Sequence, residues 1–381
     1  MILLPFIFLS LLTVYKKSPF VALISGYYLL IILLVLAIFS LEHTFRGIDY
    51  FISDEAVYFY NLDISEAAKQ DRILWFNIVQ TVKSTDFEFG FFSKIIHLVI
   101  IPFLIFVLWR LTNSRKSLFI PLFFPYILFL SQTALRDIWL FTFSLIFIYA
   151  FFNFKGKYRI LILVLSVFFI VGMRPFYLGL LLFALLGVYI LEIILKKKEG
   201  NFFKKFLKYV VLSALSISGI FVVFKNKINS YLFSIEVLLE DGFSKAQDTA
   251  IEASLTGEYF IYSFVRFVFT PIPTSMFQEI YSNGASEFGY TNDLLRLLSQ
   301  ISLYLSFFYI IFNIRKLKGV ILEYFFKEKE LLAYLLFTLG TISIYGLYHG
   351  GGGHSRVKLP LYVLAGITVI LIKKYKLRRN A

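Results

Sequence analysis

The chain contains no cysteine. That excludes disulfides, thiolate metal sites and covalent haem attachment, and leaves the redox compartment open. Charge is scarce: only 16% of the 381 residues are Asp, Glu, Lys or Arg, against about 25% in soluble domains. No Walker loop, G-x-G-x-x-G fingerprint, H-E-x-x-H or G-x-S-x-G occurs. The sequence signals of ATP hydrolysis, nucleotide cofactors, zinc proteases and serine hydrolases are therefore missing. No Asn-x-Ser/Thr sequon marks N-glycosylation.

What the chain has in excess is apolar surface. Hydrophobic residues make up 59% of it, with 47 Phe and 25 Tyr, and the mean hydropathy is +0.78. A soluble fold of this size cannot hide that much. The composition indicates an all-α integral membrane protein, and excludes a soluble enzyme or a disordered scaffold. The long continuous apolar runs are not the ten-residue alternation of a membrane barrel.

A helix needs about 20 residues to cross the hydrocarbon, with some tolerance at the short end. Eleven spans are expected, near 1–15, 19–42, 95–112, 118–132, 138–154, 160–172, 176–195, 209–224, 298–314, 331–348 and 359–372. Short members such as 160–172 leave the count between ten and twelve. Met1–Tyr15 is apolar from its first residue and lacks a basic leader and a small-residue cleavage site, so it reads as a span rather than a cleaved signal. The net charge of +14 is distributed accordingly. With the N-terminus outside, 24 of the 38 basic residues and 5 of the 24 acids fall on the inner side, making it +19 and the outer side −5. This positive-inside bias predicts an N-out, C-in bundle and explains the charge without nucleic acid. The inner cations are mostly clustered Lys, suited to anionic headgroups.

Two outer segments, 43–94 and 225–297, exceed simple connections and are expected to carry interfacial helices. One candidate is Ile73–Val82. Another is Phe260–Phe269, which ends at Thr270-Pro271-Ile272-Pro273 and is too short to span. No internal repeat or linker marks a second domain, so residues 1–381 are read as one polytopic domain.

The outer face carries isolated arginines at span ends: Arg46, Arg136, Arg174, Arg266, Arg296 and Arg356. Arginine there runs against the positive-inside preference. Its planar fork matches phosphate and keeps its charge when desolvated. The alternative for each is a side chain that snorkels to headgroups or pairs locally.

Five constellations gather the polar chemistry. Arg46-Gly47-Ile48-Asp49-Tyr50 precedes Ser53-Asp54-Glu55 and, later, Asp86-Phe87-Glu88-Phe89-Gly90. These carboxylates suit a general base or a divalent cation; the alternative is a solvated acidic loop with Asp54 as a helix cap. Arg136-Asp137 opens the 138–154 span, where Asp137 complements the helix dipole and either orients Arg136 or simply caps the span. Arg174 sits in the sharp Gly172-Met173-Arg174-Pro175 turn, and Arg266 lies on the short helix before Pro271. Finally, four glycines lie between His349 and His354, followed by Arg356, Lys358 and Pro360. Such a run costs conformational entropy, and bare backbone at Gly351 and Gly352 permits close approach of an oxyanion. A hinge needs neither His349 and His354 nor both cations. His97, inside an apolar run, reads as buried, and His43 as interfacial.

Taken together the chain resembles the bacterial O-antigen and capsule repeat-unit polymerases (Wzy-type) and the related EpsG-like proteins. Arg46, Gly47, Asp49, Tyr50, Glu88, Gly90 and Phe91 match the EpsG-like R-G-x-D-Y … E-x-G-F pattern. Arg136-Asp137 stands where EpsG-like chains often have Arg-Gln, and Arg356-x-Lys358-x-Pro360 is similar to the R-x-R-x-P near the end of many membrane glycosyltransferases. The resemblance implies a glycosyltransferase that polymerises undecaprenyl-diphosphate-linked oligosaccharides on the outer face of the bacterial cytoplasmic membrane. It needs no cofactor, and its partners are membrane lipids, a chain-length regulator and a flippase. Arg46, Arg136, Arg174, Arg266, Arg356 and Lys358 then hold the diphosphate, and the base comes from Asp54, Glu55, Asp137 or His354. Asp49, Glu88, His349, Gly351 and Gly352 shape the acceptor side. Two alternatives stay open. SDEAVYF resembles the acidic first-loop motif of GT-C-type glycosyltransferases, which use polyprenyl-monophosphate sugars and in which Asp54 or Glu55 serves as base or metal ligand. A lipid-linked oligosaccharide flippase requires ionisable residues along a pathway inside the spans, and the charges here gather at the outer ends.

Overall fold

A computed structural model describes residues 19–46, 53–60, 73–84, 91–195, 264–270, 272–274, 290–348 and 355–380. The segments expected to span at 1–15 and 209–224, and most of the 225–297 outer segment, lie outside the described residues. Among the described residues the protein is all-helical, with no strand. Among these described residues, five helices are long and apolar enough to cross a membrane: Leu23–Thr44, Phe91–Thr112, Gly156–Met173, Phe176–Ile193 and Thr291–Phe312.

In chain order, α1 is Pro19–Arg46, α2 Ser53–Tyr60, α3 Ile73–Ser84 and α4 Phe91–Thr112, whose second turn tightens to 3₁₀ at Ile96–Val99. A 3₁₀ turn at Arg115–Phe119 leads into α5 (Ile120–Phe123) and α6 (Tyr126–Leu130). Then come α7 (Asp137–Asn153), α8 (Gly156–Met173), α9 (Phe176–Leu195), α10 (Tyr290–Phe312), α11 (Ile314–Val320, prolonged as π-helix to Phe325), α12 (Lys329–Tyr348) and α13 (Leu359–Asn380). The 118–132 run, expected as one span, is instead the short pair α5 and α6. Pro125 follows Phe124, whose backbone leaves the helical region at φ −116, ψ 77. A proline ring clashes with a helical predecessor and supplies no N–H, so the run divides there.

The chain forms two compact units. One comprises Met1–Gly179, Pro271–Leu331 and Ser355–Ala381; the other comprises Leu180–Thr270 and Leu332–His354. Within the second, Gly187 on α9 leaves room for the Leu336 side chain of α12. In the first, α7 lies along α8, and α13 packs on α10 and α11. Hydroxyls inside these apolar helices return to their own backbone: Thr142 donates to Ile138 O at 2.7 Å and Ser144 to Leu140 O at 2.8 Å. That satisfies them where no water is at hand. The outer face of α8 leaves Ile160, Leu161, Val164 and Phe168 exposed. An apolar surface of that extent is solvated by lipid, not water.

Candidate functional site

The site is built around the six residues Ser131–Arg136 that join α6 to α7. All six are buried. Irregular backbone is tolerated at membrane depth only where protein satisfies it or a cavity meets it, and here side chains from distant elements do so. The Ala134 N–H donates to Glu55 Oε1 on α2. The Ala134 carbonyl accepts from Trp75 Nε1 on α3 at 2.9 Å. Ser131 and Thr133 hydroxyls donate back to Ile127 O at 2.9 Å and Leu130 O at 3.0 Å. Arg136 Nη1 donates to Met173 O at the end of α8, 2.7 Å away. Trp75 also stacks on the buried His97 ring, with centroids 5.4 Å apart, and contacts Trp139 at 5.8 Å. Helices α2 and α3 therefore hold the loop through Ala134, and α8 holds it through Arg136.

The charges of Arg356, Arg174 and Arg136 all act on Asp137, which is half-buried at the start of α7. Arg174 follows the end of α8, half-buried, with its guanidinium over the Phe176 ring at 5.6 Å. The buried Tyr126 hydroxyl feels Arg296, Arg356, Asp137 and Asp293. Arg296 and Asp293 pair at 3.5 Å in the first turns of α10. Lys358 is almost fully buried; that burial, with Arg296 beside it, pushes its ammonium down to about 7. Five cations (Arg136, Arg174, Arg296, Arg356, Lys358) thus share one region with two carboxylates (Asp137, Asp293), a formal excess of three positive charges. Such a concentration attracts a polyanion, and forked guanidinium groups suit phosphate oxygens.

Beside it lies a small, partly open recess whose polar lining is Glu42, His43, Glu55, Lys94, Gln132 and Thr133, with Phe129 at its wall. His43 and Lys94 pair at 3.2 Å between Nε2 and Nζ. Phe39 packs on the His43 ring at 4.2 Å. Gln132 and Thr133 belong to the same loop as Arg136, so the recess and the cation cluster share a frame.

Of the residues singled out in the sequence, Arg136, Asp137, Arg174, Arg356 and Lys358 are brought together, and Glu55 sits at the neighbouring recess. Arg266 lies exposed on the helical stretch 264–269 of the second unit. Arg46 and Asp54 belong to α1 and α2, but their side chains lie outside the described residues, as do Asp49, Glu88, His349, Gly351, Gly352 and His354. His43, expected at the interface, is buried against Lys94 instead. Glu42, Lys94, Tyr126 and Asp293 were not singled out, nor was Arg296 grouped with the phosphate-binding set. A signal for the α10 residues existed: Asn292, Asp293, Arg296, Ser299 and Gln300 recur at helical spacing along an otherwise apolar helix. Among the described residues no group of three or more His, Asp or Glu is placed to hold a metal ion.

No protein-family model, curated protein or solved structure matches the chain.

Proposed function

We propose that this protein is a membrane glycosyltransferase that polymerises polyprenyl-diphosphate-linked oligosaccharide repeat units, on the outer face of a bacterial cytoplasmic membrane. The reading takes the eleven-span, N-out, C-in topology of the sequence and puts the cation cluster at the outer ends of the helices. The observation that carries it is the convergence of Arg136, Arg174 and Arg356 on Asp137, with Arg296 and Lys358 close by.

The chemistry follows from that charge. The donor is a glycan joined through its anomeric carbon to a lipid diphosphate. A hydroxyl at the non-reducing end of a second lipid-linked unit attacks that carbon. The bond from the anomeric carbon to the phosphate oxygen breaks, and the diphosphate leaves with the electron pair. Negative charge grows on the leaving oxygen, and prearranged guanidinium groups stabilise it without reorganising. The energy is stored in the donor bond, so no nucleotide site is required. The attacking hydroxyl loses its proton to a base.

Deleting the gene tests the reading. A lost polysaccharide ladder with a single capped repeat unit remaining supports polymerisation, and an intact ladder overturns it. One observation favours a second reading. The Glu55 carboxylate, from the acidic SDEAVYFY helix, is buried beside the same loop, a placement that suits the base of a GT-C-type enzyme using a polyprenyl-monophosphate sugar. In that case the deletion removes one sugar from every repeat unit.

A further inference from the structure

The recess under the Ser131–Arg136 loop is not needed to hold a diphosphate, yet it buries two acids, a lysine and a histidine together. Glu42, Glu55, Lys94 and His43 are each at most 7% exposed. Burying charge is costly unless it is balanced or used. The groups come from three separate elements: Glu42 and His43 from the end of α1, Glu55 from α2, and Lys94 from the first turn of α4. Their roles differ. Glu55 Oε1 is engaged by the Ala134 N–H, which makes Glu55 the clasp of the loop. Lys94 is paired with His43 at 3.2 Å and supplies the positive charge of the recess. Glu42 lines the same opening. Thr133 lies three residues from Arg136, so their Cα atoms are at most about 11 Å apart along the chain. The attacked anomeric carbon is bonded directly to the leaving phosphate oxygen, so the acceptor hydroxyl must sit close to the phosphate, and the loop shared by Thr133 and Arg136 keeps the recess next to the arginines.

Resting on the polymerase reading, we propose that the recess is the acceptor site: the attacking sugar hydroxyl enters it, and Glu42 takes the proton. The hydroxyl oxygen forms the new bond to the anomeric carbon, the diphosphate departs toward the arginines, and the hydroxyl proton ends on the Glu42 carboxylate. Lys94, held by His43, is a positioning residue that keeps the carboxylate side of the recess charge-balanced. Gln132 and Thr133 present an amide and a hydroxyl to a neighbouring sugar hydroxyl.

The test uses the full-length protein in native membranes supplied with lipid-linked repeat units. Farnesyl diphosphate binding serves as an independent probe of the cation cluster. Glu42→Gln is expected to lower coupling at least ~100-fold, the scale of general-base catalysis, with farnesyl diphosphate affinity unchanged. Glu42→Asp restores part of the rate. Lys94→Met lowers coupling with probe binding intact, and Lys94→Arg restores part of it. An active wild type with Glu42→Gln at its rate overturns the acceptor site and leaves the polymerase reading standing. Loss of probe binding together with coupling marks the recess as a structural prop and also overturns it. A wild type that couples no repeat units overturns the polymerase reading itself.

Discussion

The guanidinium of Arg136 donates from Nη1 to the main-chain carbonyl of Met173 at 2.7 Å. That bond ties the loop before α7 to the end of α8, next to Arg174, whose charge, like that of Arg136, acts on Asp137. The two arginines therefore differ in kind. Arg136 both carries charge and satisfies a helix end, whereas Arg174 carries charge at a half-buried turn. Arg136→Ala, Arg174→Ala and Arg356→Ala are all expected to abolish polymer on a glycan gel. Arg136→Ala alone should also lower thermal stability, since an orphaned buried carbonyl costs ~1–3 kcal/mol. Wild-type ladders in all three variants would sink the phosphate clamp.

Lys358 sets a pH dependence. Its ammonium is pushed down to about 7, mainly by burial, whereas an unfolded lysine titrates near ~10.4. Between those values the unfolded chain binds more protons, so stability rises with pH across that window. Lys358→Met should therefore melt higher than wild type below pH 7, with the advantage shrinking to nothing above about pH 10. Affinity for farnesyl diphosphate moves the other way: in the wild type it falls as pH rises through about 7 and the charge is lost. Lys358→Met should bind weakly with that limb absent. Melting curves and binding isotherms at pH 6 and pH 9 check both directions.

Gly172, two residues before Arg174, has no space for a side chain. A Cβ there would meet Leu74 Cβ and Cδ2 at 2.7 Å. Gly172→Ala should push α3 from α8, displacing both Trp75 and Arg174, with overpacking of this kind costing ~1–3 kcal/mol. Leu74→Ala in the same chain should recover part of the lost accumulation and activity. Additive losses in the double variant would contradict the contact.

Ala134 provides a further handle, because both its backbone groups are met by side chains. Trp75→Phe leaves the carbonyl bare and should cost ~1–3 kcal/mol. Glu55→Gln keeps an oxygen facing the Ala134 N–H and should retain both accumulation and most of the coupling rate, whereas Glu55→Ala should lose accumulation. A normally accumulating Glu55→Gln protein without activity would make Glu55 the base and favour the GT-C-type reading.

Metal dependence separates the two readings as well. With arginines neutralising the leaving group, ladder formation in membrane vesicles should continue in the presence of EDTA. Inhibition by EDTA that is reversed by a divalent cation would favour the monophosphate-sugar enzyme.

The apolar runs were legible because lipid demands them: a helix in hydrocarbon must be apolar over its length, whatever it packs against. Thus 95–112, 160–172, 176–195 and 298–314 all fall within or overlap helices of spanning length. The 118–132 run has the same composition, yet Pro125 divides it; hydropathy weighs residues without regard to backbone hydrogen bonds. Arg136, Arg174, Arg356 and Lys358 stood out as cations at the ends of apolar runs, on the side where the charge bias of the sequence predicts that cations are disfavoured. Lys94 and His43 did not, because each alone reads as a residue at a membrane boundary. Their pairing joins positions 51 residues apart.

Composition and order of residues by themselves determined the solvent of this protein, its helical class, and which side chains were out of place in that solvent. Those properties are local, since each residue meets lipid or water according to its own polarity and that of its near neighbours. Only the tertiary structure decided which of the misplaced charges belong together. It set Arg136, Arg174 and Arg356 where their charges act on Asp137 and closed Glu42, His43, Glu55 and Lys94 into a recess. The physical reason is that a charge buried beside lipid lowers its energy mainly through partners within hydrogen-bond reach, and the packing of distant helices alone places them there.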